Sequence, residues 1–495
     1  MKKRQSGVLM HISSLPGKYG IGSFGQSAYD FVDFLVRTKQ RYWQILPLGT
    51  TSYGDSPYQS FSAFAGNTYF IDFDILIEEG LLDEADVKGA DFGDDPRKVD
   101  YAKIFDARRP IMEKAVARFL KADDLSDYES FVEQNAAWLE VFAEYMAIKE
   151  HFDNLAWTEW PDEAIRRRDA ASLASYRENL ADKLTYHRVT QYLFFKQWLK
   201  LKAYANEHHI EIVGDMPIYV AADSADVWAQ PHFFKTDAVG KPTCVAGCPP
   251  DEFSETGQLW GNPIYDWEAM DKDGYAWWIE RLRESFKIYD IVRIDHFRAF
   301  DTFWKIPASC PTAIDGEWIE APGYEVIDTL NKELPGVNLV AEDLGELRPE
   351  VLELKDHYHL KGMRILLFSI DTKGKYARDI SNDIENVIFY TGTHDNDTLM
   401  QWYDGLTVAA KRKVREFLKK QGIKAGNIKD RLLTYVLKSK AEYAIIPLAD
   451  IIGLGKEGHI NTPGTVGSPN WEWHMVDFKK SKEELSRYKN LIMNR

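Results

Sequence analysis

Cysteine is scarce in this chain. There are three in 495 residues, Cys244, Cys248 and Cys310. A number so low and odd does not build a disulfide framework, and it fits free thiols in a reducing compartment. Cys244 and Cys248 are four apart, but no second ligand pair lies near them, so the spacing is not read as a zinc site. Long apolar runs are also missing. No stretch approaches the roughly 18 apolar residues that a membrane span needs. The opening "MKKRQSGVLMHISSLPG" starts basic, but His11 and two serines break its short apolar run. It reads as a strand after a charged start, not as a signal peptide. Positive charge is in deficit too, with a net charge of −16. Nothing here builds the basic face of a nucleic-acid binder, and an acidic chain is not drawn to an anionic membrane. No internal repeat, low-complexity tract, dense acidic calcium loop or Walker-type lysine is present.

What is present is core-forming. Hydrophobic residues make up 45% and aromatics 13%, including 15 tryptophans. A chain of this length and composition makes one large domain with insertions, or two to three domains, and disorder is not expected. Trp and Tyr also stack on flat apolar ligand faces, and sugar rings have such faces.

Eight short apolar runs recur along the chain: 7–13, 42–49, 210–220, 290–298, 337–345, 362–371, 386–396 and 441–450. Several end in polar or charged residues. Between them, 28–39, 277–289 and 409–420 carry apolar positions at helical spacing. Eight strands alternating with helices predict a (β/α)₈ TIM barrel, with a doubly wound sheet as the alternative. Two intervals are too long for simple crossovers. Residues 83–206, rich in Ala, Glu, Trp and Lys, read as an inserted, mainly helical subdomain after the second strand. Residues 221–268, rich in Gly, Pro and aromatics, read as an inserted loop region after the third; loops of that length in compact domains are often functional. The whole of 1–495 is then one catalytic barrel with these insertions.

The run "VRIDHF" (292–297) places Arg293 and Asp295 on one face of the fourth strand, with Val292 and Ile294 on the other. A structural ion pair would account for that alone. Three other strands add carboxylates at their ends: Asp215 on the third, Glu342 on the fifth and Asp395 on the seventh. In a TIM barrel those ends form the catalytic mouth. Four acids converging there repel one another and are costly unless used. The set fits glycosyl chemistry, in which one carboxylate attacks or stabilises the anomeric carbon and one carboxylic acid protonates the leaving oxygen. Neighbouring strands can supply the separation of about 5 Å that predicts retention. Arg293 would keep Asp295 ionised. His296 and His394 flank these acids and can bond sugar hydroxyls, or serve structure. His208 and His209 sit before a strand and read as ordinary.

Seven ordered motifs then resemble one family over nearly the whole chain. They are "GDSPYQSFSAFAGN" (54–67), "GDMPIYVAADSADVW" (214–228), "PPDEFSETGQLWGNPIYDW" (249–267), "RIDHFRAF" (293–300), "AEDLG" (341–345), "TGTHDN" (391–396) and "NTPGTVGSPNWEW" (461–473). The chain resembles the 4-α-glucanotransferases, or amylomaltases and disproportionating enzymes, of glycoside hydrolase family 77. The resemblance implies a barrel without a C-terminal β-domain. It implies Asp295 as nucleophile, Glu342 as general acid/base and Asp395 as transition-state stabiliser. It further implies that Arg293, His296, His394 and Asp215 bind the donor sugar or tune the nucleophile, and that Tyr58 stacks on that sugar. Ser56, Gln258 and Trp260 would line the cleft, and Phe253 would sit in a loop over it. Cys248 departs from the small aliphatic residue expected there, which bears on sensitivity to thiol reagents. Malto-oligosaccharides and amylose-like glucans would be substrates, with glucose as an acceptor, no cofactor or metal, and a cytoplasmic location. Oligomeric state is not legible. The rivals are a hydrolytic α-amylase or α-glucosidase of the same clan, a non-catalytic glucan-binding barrel, and a sugar-phosphate enzyme using "NTPGTVGSP".

Overall fold

The computed structural model describes residues 5–251, 254–345, 347–370, 386–479 and 481–493. Among them, eight parallel strands form one sheet. They are β1 (Gln5–Leu9), β2 (Tyr42–Gln44), β3 (Glu211–Met216), β4 (Ile291–Ile294), β5 (Leu339–Ala341), β6 (Gly362–Ile365), β7 (Val387–Tyr390) and β8 (Tyr443–Pro447). The ladder runs β6-β7-β8-β1-β2-β3-β4-β5. A single parallel bridge, Val340 to Lys361, joins its two ends and closes the barrel. This is the (β/α)₈ barrel expected from the eight runs, and the doubly wound alternative is excluded.

The strands are short and almost wholly buried, as both faces of a parallel sheet must be. On β4, Val292 and Ile294 are buried, and so is Arg293, on the opposite face. Arg293 stands in register with Asp215 on β3 and Val340 on β5. Helices pack outside. Gln26–Arg37 turns Ala28, Phe31, Val32, Phe34 and Leu35 inward at three- and four-residue spacing. Each large apolar side chain so buried contributes about 1.5–3 kcal/mol. Helices Ala181–Glu207, Ala276–Ile288, Gly323–Glu333, Pro349–His357, Val408–Lys420 and Ile428–Lys438 also pack around the barrel. The expected helices over 28–39, 277–289 and 409–420 are thus present within two residues at each end.

The apolar runs overshoot the strands at their C-terminal ends. The run 210–220 continues past Met216, and 386–396 past Tyr390. Ile218, Tyr219 and Val220 are buried although the ladder has ended, because the mouth loops fold back onto the barrel. The last residue of the run 362–371, Asp371, lies outside the described residues.

Between β2 and β3 the chain forms helices Tyr101–Phe119, Ser126–His151, Ala170–Asn179 and Ala181–Glu207, with shorter ones between. Asp100 and Asp169 cap two of them through Lys103 N and Ala171 N. The interval 221–268, read as loop, carries two strands. Cys244–Cys248 and Gln258–Pro263 pair antiparallel. Thr302–Pro307 and Glu317–Glu320 extend them into a separate four-stranded sheet. No helix among the described residues is long and apolar enough to cross a membrane.

Candidate active site

Asp295 and Glu342 directly follow the register pair Ile294–Ala341 on β4 and β5. Neighbouring strands lie about 4.8 Å apart, so the two acids leave the barrel side by side. Their backbones continue the hydrogen-bonding pattern: Asp295 N donates to Met216 O (3.0 Å) and Glu342 N to Ile294 O (3.1 Å).

Arg293 ties three strands together. Its Nη1 donates to both oxygens of Asp215 (2.7 and 2.6 Å), its Nη2 pairs with Asp295 Oδ1 (2.8 Å), and its Nε meets Met363 Sδ at 3.3 Å. Burial works against its charge, but Asp215 and Asp295 outweigh that and hold the guanidinium protonated well above its ordinary range. The cation and carboxylate in "VRIDHF" are therefore a pair completed by a third group from β3.

Glu342 is held differently. Its Oε2 accepts from His296 N (2.9 Å) and its Oε1 from Leu344 N (2.9 Å). Burial pushes its carboxyl up to about 7; Arg293 opposes this, while Asp295 and Asp343 add to it. His296 adopts a left-handed backbone (φ 52°) to aim its N–H at this carboxylate, a conformation uncommon outside glycine. Burial lowers its imidazole to about 4 against the pull of Asp295, so the ring is neutral.

Asp395 sits in the loop after β7. His394 Nε2 lies 3.2 Å from Asp395 Oδ2, and Asn461 Nδ2 donates to Oδ1 at 2.7 Å. Burial alone would raise the Asp395 carboxyl, but His394 and Asn461 bring it down to about 2. The same contact raises His394 despite its burial. Tyr58 links the two sides: its hydroxyl donates to Asp215 Oδ2 (2.9 Å), and its ring stacks on His394 (5.1 Å between centroids, 17° between planes).

Ser56 meets this group through its Oγ, which accepts from Tyr58 N at 3.2 Å. Trp260 stands edge-on to His296 (4.8 Å, 89°), and its Nε1 donates to Gln258 Oε1 (3.1 Å). Both belong to strand Gln258–Pro263 of the small sheet. Phe253 lies outside the described residues. Cys248 is close enough for Glu342 to influence it. Burial, then Glu342 and Asp251, push its thiol up to about 12, so it carries no thiolate at neutral pH.

Four contributors escaped the sequence reading. Asn461 and Trp471 come from "NTPGTVGSPNWEW", a motif whose sequence marks no single residue; the Trp471 ring lies 5.8 Å from Tyr58 and 5.9 Å from His394. Met363 lies under Arg293 from β6. Asp450, buried in the short helix Leu448–Ile452 after β8, accepts from Thr391 Oγ1 and Leu399 N and so brackets the loop that carries His394 and Asp395. Only the polar residues of a quoted motif could have pointed to Asn461; the others meet the site through contacts distant in sequence.

A family profile described as 4-alpha-glucanotransferase matches residues 10–479. The chain belongs to the 4-alpha-glucanotransferase family. A 4-alpha-glucanotransferase from Streptococcus pneumoniae is 62% identical over 478 residues, covering 96% of this chain and 94% of that one. One from Thermus thermophilus is 42% identical over 492 residues, covering 98% and 97%. The solved structure of an amylomaltase from Streptococcus agalactiae in complex with acarbose superposes with a TM-score of 0.95 at 45% identity, covering all of both chains. Membership over the whole length makes this a glucan-transferring enzyme and disfavours the hydrolase, binding-barrel and sugar-phosphate alternatives.

Proposed function

We propose that this enzyme moves α-1,4-glucan segments from a donor to the 4-hydroxyl of glucose or of another glucan, by retaining double displacement. The observation that carries the mechanism is the contrast between two adjacent carboxyls. Asp295 is paired with a permanently charged Arg293, while Glu342 is held near pH 7. Two neighbouring acids in such unlike surroundings divide into nucleophile and acid/base.

In the first step Asp295 Oδ attacks C1 of a bound glucan. The C1–O4 bond breaks, and the Glu342 proton passes to the departing O4. In the second, the acceptor's O4 attacks C1 of the glucosyl–Asp295 ester, the ester bond breaks, and the acceptor proton returns to Glu342. Two inversions give retention. Asp395, ionised and steadied by His394 and Asn461, binds sugar hydroxyls and stabilises the oxocarbenium-like transition state. Tyr58 stacks on the donor sugar, His296 and His394 bond its hydroxyls, and the buried Asp215 tunes the nucleophile through Arg293. Ser56, Gln258 and Trp260 line the cleft, and Phe253 belongs to the loop that follows strand Cys244–Cys248. That loop, between strands Cys244–Cys248 and Gln258–Pro263, keeps water from the ester while admitting sugar. The helices over 83–206 follow β2 at the rim of the mouth and extend the cleft for long glucans. No cofactor or metal enters this chemistry, and the few free cysteines suit a cytoplasmic enzyme.

Incubation with maltotriose alone, followed by size-resolved product analysis, tests the reading. Glucose together with chains longer than maltotriose, with little net gain in reducing ends, is expected. Shorter sugars only, with reducing ends rising, would overturn it in favour of hydrolysis.

A further inference from the structure

The barrel is weakest where it closes. Every other pair of neighbouring strands shares a ladder of three to five register pairs, but β5 and β6 share the one bridge Val340–Lys361 and the bond from Ala341 N to Lys361 O (2.8 Å). Buried backbone N–H groups need partners, so an open seam must be satisfied some other way. A side chain does it. Asp343, 1% exposed, takes the Met363 N–H on its Oδ1 at 2.6 Å, where a strand carbonyl would otherwise sit. Its Oδ2 receives Lys355 Nζ at 3.1 Å from helix Pro349–His357 and faces Arg364 Nη1 at 3.5 Å. The backbone is shaped to admit it: a Cβ on Gly362 would lie 2.4 Å from Asp343 Oδ2.

Asp343 also stands between the two residues that matter most for the acid/base. Glu342 precedes it, and Leu344, whose N–H bonds Glu342 Oε1, follows it. The Met363 that it fixes through the backbone N–H touches Arg293 through its sulfur. We infer that Asp343 is a positioning residue for the transfer reaction: its carboxylate replaces the missing β5–β6 ladder and thereby sets where the Glu342 carboxyl points and how tightly it holds its proton. This rests on the acid/base role proposed for Glu342. The charged and titratable groups facing Glu342 are Arg293 from β4, Asp295 and His296 just after it, Cys248 from the small sheet and Asp343 itself; Lys355 and Arg364 face Asp343.

The test is the pH dependence of kcat/KM for maltotriose disproportionation, with thermal midpoints measured alongside. Asp343→Asn keeps an acceptor for Met363 N–H but removes the negative neighbour. The alkaline limb should then move toward acid by about one unit, the scale a nearby charge sets. Asp343→Ala also releases the seam, and kcat should fall up to about 100-fold with little change in KM, as expected for a misplaced catalytic group. Lys355→Met leaves the carboxylate less neutralised, and the limb should move the opposite way. Lower thermal midpoints with the limb and kcat of the folded enzyme unmoved would overturn the inference. If the Asp343 variants do not fold, an unmoved limb in Lys355→Met overturns it alone. Glu342→Gln separates the two claims: wild-type turnover in that variant would refute the acid/base role, whereas loss of turnover there with unmoved limbs in the others refutes only the role of Asp343.

Discussion

Replacing Arg293 by Met removes the cation from a nearly dry site while keeping most of the side-chain volume. Arg293 supplies two hydrogen bonds to Asp215 and one ion pair to Asp295, and both Arg293 and Asp215 are at most 3% exposed. Breaking a buried pair by removing one partner costs about 3–5 kcal/mol. The orphaned acid can limit this by staying protonated, at about 1.36 kcal/mol per pH unit above an unfolded pKa of about 3.9. That route costs about 5 kcal/mol at about pH 7.5 but only about 1.5 kcal/mol at about pH 5. The sign follows from linkage. In the variant the folded-state pKa of Asp215 lies above its unfolded value, so the protonated acid stabilises below the unfolded value and that stability is lost as pH rises. Burial already raises the Asp215 carboxyl in wild type, with Arg293 opposing it, so the deficit against wild type should shrink by up to about 3 kcal/mol on going from about pH 7.5 to about pH 5. Urea unfolding of both proteins at the two pH values measures it. A deficit below about 1 kcal/mol, or one equal at both pH values, would refute the claim that Arg293 compensates a buried carboxylate.

Glu342 is pushed up to about 7, so it keeps its proton to neutral pH and loses it above. The kcat/KM profile should fall on the alkaline side of about 7, and Glu342→Gln should lose about 10²–10⁴-fold in turnover, the usual contribution of general acid–base catalysis. Asn461→Ala removes the 2.7 Å bond to Asp395 Oδ1. A bond to a charged group contributes about 1.5–3 kcal/mol, so kcat/KM should fall about 10–100-fold in a protein of unchanged fold by circular dichroism. Gly362→Ala drives a Cβ against Asp343 Oδ2. Overpacking of this kind costs about 1–3 kcal/mol and should appear as a lowered thermal midpoint.

The barrel was legible because parallel strands buried on both faces leave dense apolar runs, and all eight runs hold a strand. Their ends were not, since Ile218 to Val220 are as apolar as a strand but pack as loop. The small sheet left no local pattern: "CVAGC" and "QLWGNP" contain Gly, Pro and polar residues, and what makes them strands is pairing with each other and, for "CVAGC", with Thr302–Pro307, which in turn pairs with Glu317–Glu320. In the site, acids at strand ends could be read because each sits beside an apolar run. Asn461, Met363 and Asp343 act through contacts that exist only once the barrel closes. Asp343 is the clearest case, a carboxylate next to Glu342 in "AEDLG" that no sequence pattern distinguishes and that bonds across the seam between β5 and β6.

The division of labour between Asp295 and Glu342 is tested most directly by trapping the intermediate. Glu342→Gln is mixed with α-maltosyl fluoride and no acceptor; fluoride leaves without an acid, and the ester persists without a base. Peptide mass spectrometry of the quenched protein should place a maltosyl adduct on Asp295. An adduct on Asp215 or Asp395, or none while fluoride is released, would contradict the assignment.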